Sequence, residues 1–149
     1  VDIPAPFFAG CGIDVSRFGV PSIARRALLE ERSRLRVSVQ IPRIVTPSST
    51  VRYTITITNT GDAAYSLRPC PSYQEYMVVI VPGSRAIYTH PSFYLNCQTV
   101  RSIPPHGMVT FAMEMQVPAA VGQAKFGWIL NVAGSPAAGT VLRVIPASP

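Results

Sequence analysis

The sequence predicts an all-β protein, an immunoglobulin-like Greek-key sandwich of seven to nine strands. Three observations predict it. Val51, Tyr53, Ile55 and Ile57 alternate with Arg52, Thr54, Thr56 and Thr58, the period of two that marks a strand with one buried face. Val109, Phe111, Met113, Met115 and Val117 alternate in the same way with Thr110, Ala112, Glu114 and Gln116. Turn residues punctuate the chain roughly every ten residues, a spacing that suits a sandwich.

The chain opens differently. Pro4, Pro6, Gly10, Gly12 and Gly19 interrupt Phe7, Phe8, Ile13, Val15 and Phe18. This is an irregular apolar arm, too broken for a helix and too aromatic for ordinary disorder. Ser22 is a fitting N-cap, and Ile23, Ala27 and Leu28 follow at helical spacing, so one short helix is expected over about residues 22–33. The division is therefore an arm and helix over 1–34 and a sandwich over 35–149.

The strands follow in order. Leu35, Val37, Val39 and Ile41 alternate with Arg36, Ser38 and Gln40 as strand one. Thr46-Pro47-Ser48-Ser49 turns the chain into strand two, Ser49 to Thr60. Asn59-Thr60-Gly61-Asp62 is read as a turn that brings strand three, Ala63–Arg68, back beside strand two. Pro69-Cys70-Pro71-Ser72 breaks it, and Glu75–Val81 is strand four. Ala86–Thr89 and Leu95–Ile103 are two further strands. Met108–Val117, Phe126–Val132 with the single Trp128, and Thr140–Ile145 complete the set.

Several stretches of the sandwich resemble a known kind of protein: Val51 to Asp62, Pro69-Cys70-Pro71-Ser72-Tyr73, Leu95-Asn96-Cys97, and Ile103-Pro104-Pro105-His106-Gly107. Their order is similar to that of the immunoglobulin-like extracytoplasmic domains of actinobacterial membrane-anchored or secreted proteins. The resemblance covers about residues 35–146. A looser similarity to the BsuPI-type proteinase-inhibitor fold rests on Thr58-Asn59-Thr60-Gly61 and the later Pro-x-Gly turn. The resemblance implies a sandwich outside the cytoplasm and no catalytic residues. Cys70 and Cys97 lie 27 residues apart, each at the end of a predicted strand region; in an exported domain they are expected to form a disulfide, against two free buried thiols in a cytosolic one.

Composition narrows the function classes. Charged residues are 13% of the 149, about half the usual roughly 25%, so part of the surface is expected to be covered by a partner. The net charge is +6, and Arg25, Arg26, Arg32, Arg34, Arg36 and Arg43 lie close together. No aromatic residue is interleaved between 25 and 43, which speaks against nucleic acid. An anionic membrane surface or an acidic protein fits better. No run of 18 apolar residues occurs, and the chain starts at Val1. An upstream signal peptide or membrane anchor is therefore expected.

Chemistry-bearing residues are sparse. Phe8-Ala9-Gly10-Cys11 resembles a lipobox, but Asp2, Pro4 and Pro6 spoil the apolar run it needs. A buried thiol, a thioether to a cofactor or an intermolecular bond remain for Cys11. His106 and Met108 invite a copper reading, against His106 as a turn residue and Met113 and Met115 as core. His90 sits in another loop. The seven acidic residues are scattered, no glycine-rich phosphate loop occurs, and no motif specifies a nucleophile and base. No enzyme activity, cofactor or metal is expected.

The aromatic-rich middle, with Tyr65, Tyr73, Tyr76, Tyr88, Phe93 and Tyr94, is read as contact surface or as ordinary packing. The residues singled out for partner binding are Phe7, Phe8, Phe18, Tyr73, Tyr76 and Tyr94. Three functions follow. The first is a non-enzymatic extracytoplasmic module, an accessory or structural subunit that meets a protein partner or copies of itself. The second is an inhibitor or ligand-binding domain using the Cys70–Cys97 loop. The third is a periplasmic copper-binding protein.

Overall fold

A computed structural model describes residues 34–88 and 93–148. The arm, the helix expected over 22–33, Phe7, Phe8, Phe18, Cys11 and His90 lie outside the described residues.

In chain order the strands are β1 (Leu35–Gln40), β2 (Ile44–Val45), β3 (Thr50–Asn59), β4 (Tyr65–Ser66), β5 (Ser72–Val81), β6 (Ser84–Tyr88), β7 (Phe93–Tyr94), β8 (Ser102–Ile103), β9 (Met108–Gln116), β10 (Gly122–Leu130) and β11 (Ala137–Val144). Seven of these have five residues or more, and the others are two-residue pairings. The protein is an all-β sandwich. One sheet has the order β1-β3-β9, and the other β2-β11-β10-β5-β6 with β7 also on β5. Every pairing is antiparallel except β2 with β11. A small β4-β8 pair lies off both sheets.

Alternation decides which side of each strand is inside. In β3, Val51, Tyr53, Ile55, Ile57 and Asn59 are buried, while the intervening arginine and threonines are not. They meet Met77 and Val79 of β5, Phe126, Trp128 and Leu130 of β10, and Leu142 and Val144 of β11 in one core. The Tyr53 ring stands edge-on to Phe126, with centroids 4.9 Å apart, a favoured aromatic geometry. Each large side chain so buried stabilises the fold by about 1.5–3 kcal/mol.

Two sequence expectations are corrected. The chain after Asn59 does not return beside β3, whose neighbours are β1 and β9. The cause is Asn59, whose phase points it inward. Its Nδ2 donates to the carbonyls of Ala63, Ile103 and Pro104 at 2.8, 3.1 and 3.2 Å, and its Oδ1 accepts from Gly61 N at 2.9 Å. The turn is thereby tied to the segment entering β9, and only Tyr65–Ser66 of strand three pairs, with β8. Arg34 adds to this, donating from Nη2 to the carbonyls of Ala63 and Ala64. The second correction concerns Leu95–Ile103, which is not one strand. Phe93–Tyr94 pair with β5 and Ser102–Ile103 with β4. Between them the buried Leu95 and Cys97 are drawn inward and break the ladder.

Candidate interaction surface at the disulfide end

The proline pair around Cys70 stops one strand and starts another. Arg68–Pro69 is a cis peptide bond, and β5 begins two residues after Cys70. Cys70 is bonded to Cys97, 27 positions along the chain. Leu95 N donates to Pro71 O at 2.9 Å, and Tyr94 stands opposite Ser72. The segment 93–97 is thus held to the start of β5 by one covalent bond and a short ladder. On the far side of Ser72, Asn131 N donates to its carbonyl at 2.9 Å and Asn131 Nδ2 to its hydroxyl at 2.8 Å.

A cleft of about 420 Å3 opens here, lined among others by Tyr65, Arg68, Pro69, Cys70, Tyr94 and Asn131. Tyr94 is 78% exposed and Phe93 is exposed beside it. Arg68 is the charged residue of the lining. The Ser66 and Ser72 hydroxyls are committed, one accepting from Arg68 N and the other from Asn131. Among the described residues no acid or histidine lines the cleft.

The three tyrosines singled out from the sequence do not form one surface. Tyr73 and Tyr76 are three positions apart in a strand and so face opposite sides of the sheet. Tyr73 is half-buried on the inner side, stacked on Trp128 at 5.2 Å between centroids and tilted against Phe93 at 6.0 Å. Burial raises its phenol above the ordinary value, and the nearby Glu75 carboxylate adds to this. Glu75 is itself buried and accepts from the Tyr53 hydroxyl. A second cleft of about 290 Å3, lined by Tyr73, Glu75, Phe93, Glu114 and Gln116 among others, runs along this open side between the sheets. Tyr76 is on the outer side, as is Tyr94 through its pairing with Ser72.

His106 and Met108 do not converge. His106 Nε2 is 2.7 Å from Asp62 Oδ1, and Met108 points to solvent at 65% exposure. Among the described residues no three His, Cys, Asp or Glu side chains gather to hold a metal, and no helix is long and apolar enough to cross a membrane.

Two features escaped sequence reasoning. In the sequence Asn59 reads as a turn residue, although it continues the inward phase of Val51 to Ile57. The second is the outer side of β5. Met77-Val78-Val79-Ile80-Val81 is apolar without alternation, the pattern of a strand with apolar groups on both faces.

Comparison with solved structures places this architecture. The crystal structure of the CARDB domain of the PF1109 protein from Pyrococcus furiosus, in complex with di-metal ions, superposes with a TM-score of 0.51 at 13% identity. It covers 76% of this chain and 94% of that one. The solution structure of the same domain gives 0.51 at 14% identity, over 76% and 96%. The fold is immunoglobulin-like. The sporulation control protein Spo0M of Bacillus subtilis follows at 0.48 and 18% identity, over 78% of this chain and 51% of that one. No protein-family model matches the sequence, and no curated protein matches it.

Proposed function

We propose that this chain is a non-enzymatic immunoglobulin-like module working outside the cytoplasm. It serves as an accessory or structural subunit of a membrane-associated or extracellular assembly, through protein–protein contacts. The similarity of its motifs to actinobacterial envelope domains belongs to the same reading. The observation that carries it is the Cys70–Cys97 bond, which fastens an exposed aromatic pair, Phe93 and Tyr94, to the start of β5. Disulfides persist in oxidising compartments, and a rigid aromatic anchor loses little entropy on binding. The test is non-reducing mass spectrometry of the protein from its native cells, together with recovery of partners from envelope extracts. A linked Cys70–Cys97 peptide and a partner lost on Tyr94→Ala support the proposal. Free thiols in the native protein, or a monomer with no partner, end it.

A second reading is favoured by the cleft beside the disulfide. There the domain binds a peptide segment of a protease, as an inhibitor does. Inhibition of a secreted protease that survives Tyr76→Ala but not Tyr94→Ala supports this reading over the first.

A further inference from the structure

In β5 both phases of the alternation are apolar. Met77 and Val79 lie in the core, and Tyr76, Val78 and Ile80 stand on the outer side. Cross-strand register extends that side into one continuous face. Lys125 stands between Val78 and Val141, Gln123 between Ile80 and Arg143, and Gly127 between Tyr76 and Gly139. Ile44 of β2 stands beside Arg143. The Tyr76 ring occupies the space that a side chain on Gly127 would take, so the centre of the face is flat. Ile44 is 60% exposed and Ile80 48%, and Val141 is exposed as well.

Among the described residues the charge on this face has one sign. From residue 34 onward the chain has three acidic residues. Asp62 is paired with His106, Glu114 lies near Arg52 across β3 and β9, and Glu75 is buried. None is on the outer face of the larger sheet, where Lys125 and Arg143 are both exposed.

We infer that this face docks a partner protein whose surface is apolar at its centre and carries carboxylates opposite Lys125 and Arg143. The inference rests on the protein-contact reading above and names the surface and the chemistry of the partner. Other occupants fit less well. A second copy stacked face to face brings cations against cations, with no acidic residue among the described residues of the face to offset them, and like charges so placed oppose association. An anionic bilayer gains only about 1 kcal/mol per basic residue at its surface, little for the exposed Lys125 and Arg143. An apolar protein surface with carboxylates gains from both parts of the face, as interface cores do.

The test is photo-crosslinking in the native cells. The full chain carries p-benzoylphenylalanine at Ile80, Val141, Tyr94 or Thr56 in separate variants. The partner caught is then purified and its affinity measured for the unaltered chain and for K125E/R143E. Crosslinks from Ile80 and Val141 but not Thr56 are expected. The caught segment should contain apolar residues and Asp or Glu, and K125E/R143E should weaken binding at least roughly tenfold. Reversing the partner's facing carboxylates to lysine should restore affinity to K125E/R143E. Crosslinks from Tyr94 alone overturn this inference and leave the contact module standing. Crosslinks from no position overturn both. A second copy of this chain as the species caught, a change under about threefold in K125E/R143E, or equal binding to vesicles containing phosphatidylglycerol each overturn the inference.

Discussion

The two sheets share one interior and differ outside. The exposed side of β1-β3-β9 shows Arg52 near Glu114 and Thr56 bonded to Thr110 through their hydroxyls at 3.0 Å. It is an ordinary hydrated surface. The exposed side of the larger sheet shows isoleucine, valine and tyrosine with the exposed Lys125 and Arg143, and no acid among the described residues. Both are built from period-two strands, so alternation alone does not set the outer chemistry. The difference comes from what stands in the outward phase: threonine in β3, and β-branched or aromatic hydrocarbon in β5. A sheet facing water on one side is normally polar there. The larger sheet departs from this, and its companion is the internal control.

Substitutions can break or sharpen the contrast. The largest effect is expected where the sheets share their interior. Ile57→Ala should lower the unfolding free energy by about 3 kcal/mol, while Thr56→Ala, next to it on the hydrated face, should change it by under about 0.5 kcal/mol. Chemical denaturation measures both. Replacing Cys70 and Cys97 by serine should cost about 3 kcal/mol through the freed loop, without altering the outer face of either sheet. Asn59→Ala should cost about 2 kcal/mol, since three carbonyls lose a common donor. The paired variants Ile80→Thr/Val141→Thr and Thr56→Val/Thr110→Val exchange the character of the two faces. Thermal melts should shift little for either pair. The first pair should raise solubility and the second lower it, because neither face is a core.

The smallest effect is expected at alkaline pH. The Tyr73 phenol is raised by burial and then by Glu75, so the unfolded chain loses that proton first as pH rises. Its contribution is intact below about pH 10 and declines above it, through the raised value. Tyr73→Phe should remove part of the alkaline decline in melting temperature. Melts on either side of about pH 10 measure it.

Much of this fold was legible because the alternating runs are local. Val51–Ile57, Val109–Val117 and Phe126–Leu130 announce their buried faces without knowledge of their neighbours. Pairing is not local. Nothing near Ala63–Arg68 says that its partner is Ser102–Ile103 and not β3. That choice is made by Asn59 across 44 positions. The strand read at Leu95–Ile103 failed for a related reason, since Cys97 answers to Cys70 and not to its own ladder. The tyrosines read from the sequence as contact candidates, but which side of the sheet each takes does not. Their sides depend on strand register, which puts Tyr73 on Trp128 and Tyr76 over Gly127. The apolar run in β5 was visible, but one strand cannot say that β10 and β11 continue its outer face.

The cross-link also has a kinetic meaning. Thr58 of β3 and Met108 of β9 are register partners, so the smaller sheet closes only when a long stretch of chain brings them together. The Cys70–Cys97 bond bypasses 27 positions, a little over half of that stretch. Halving a loop lowers its closure entropy cost by about 0.6 kcal/mol, roughly a threefold gain in the chance of that encounter. A chain oxidised early therefore begins folding with the pairing of β3 and β9 already partly gathered.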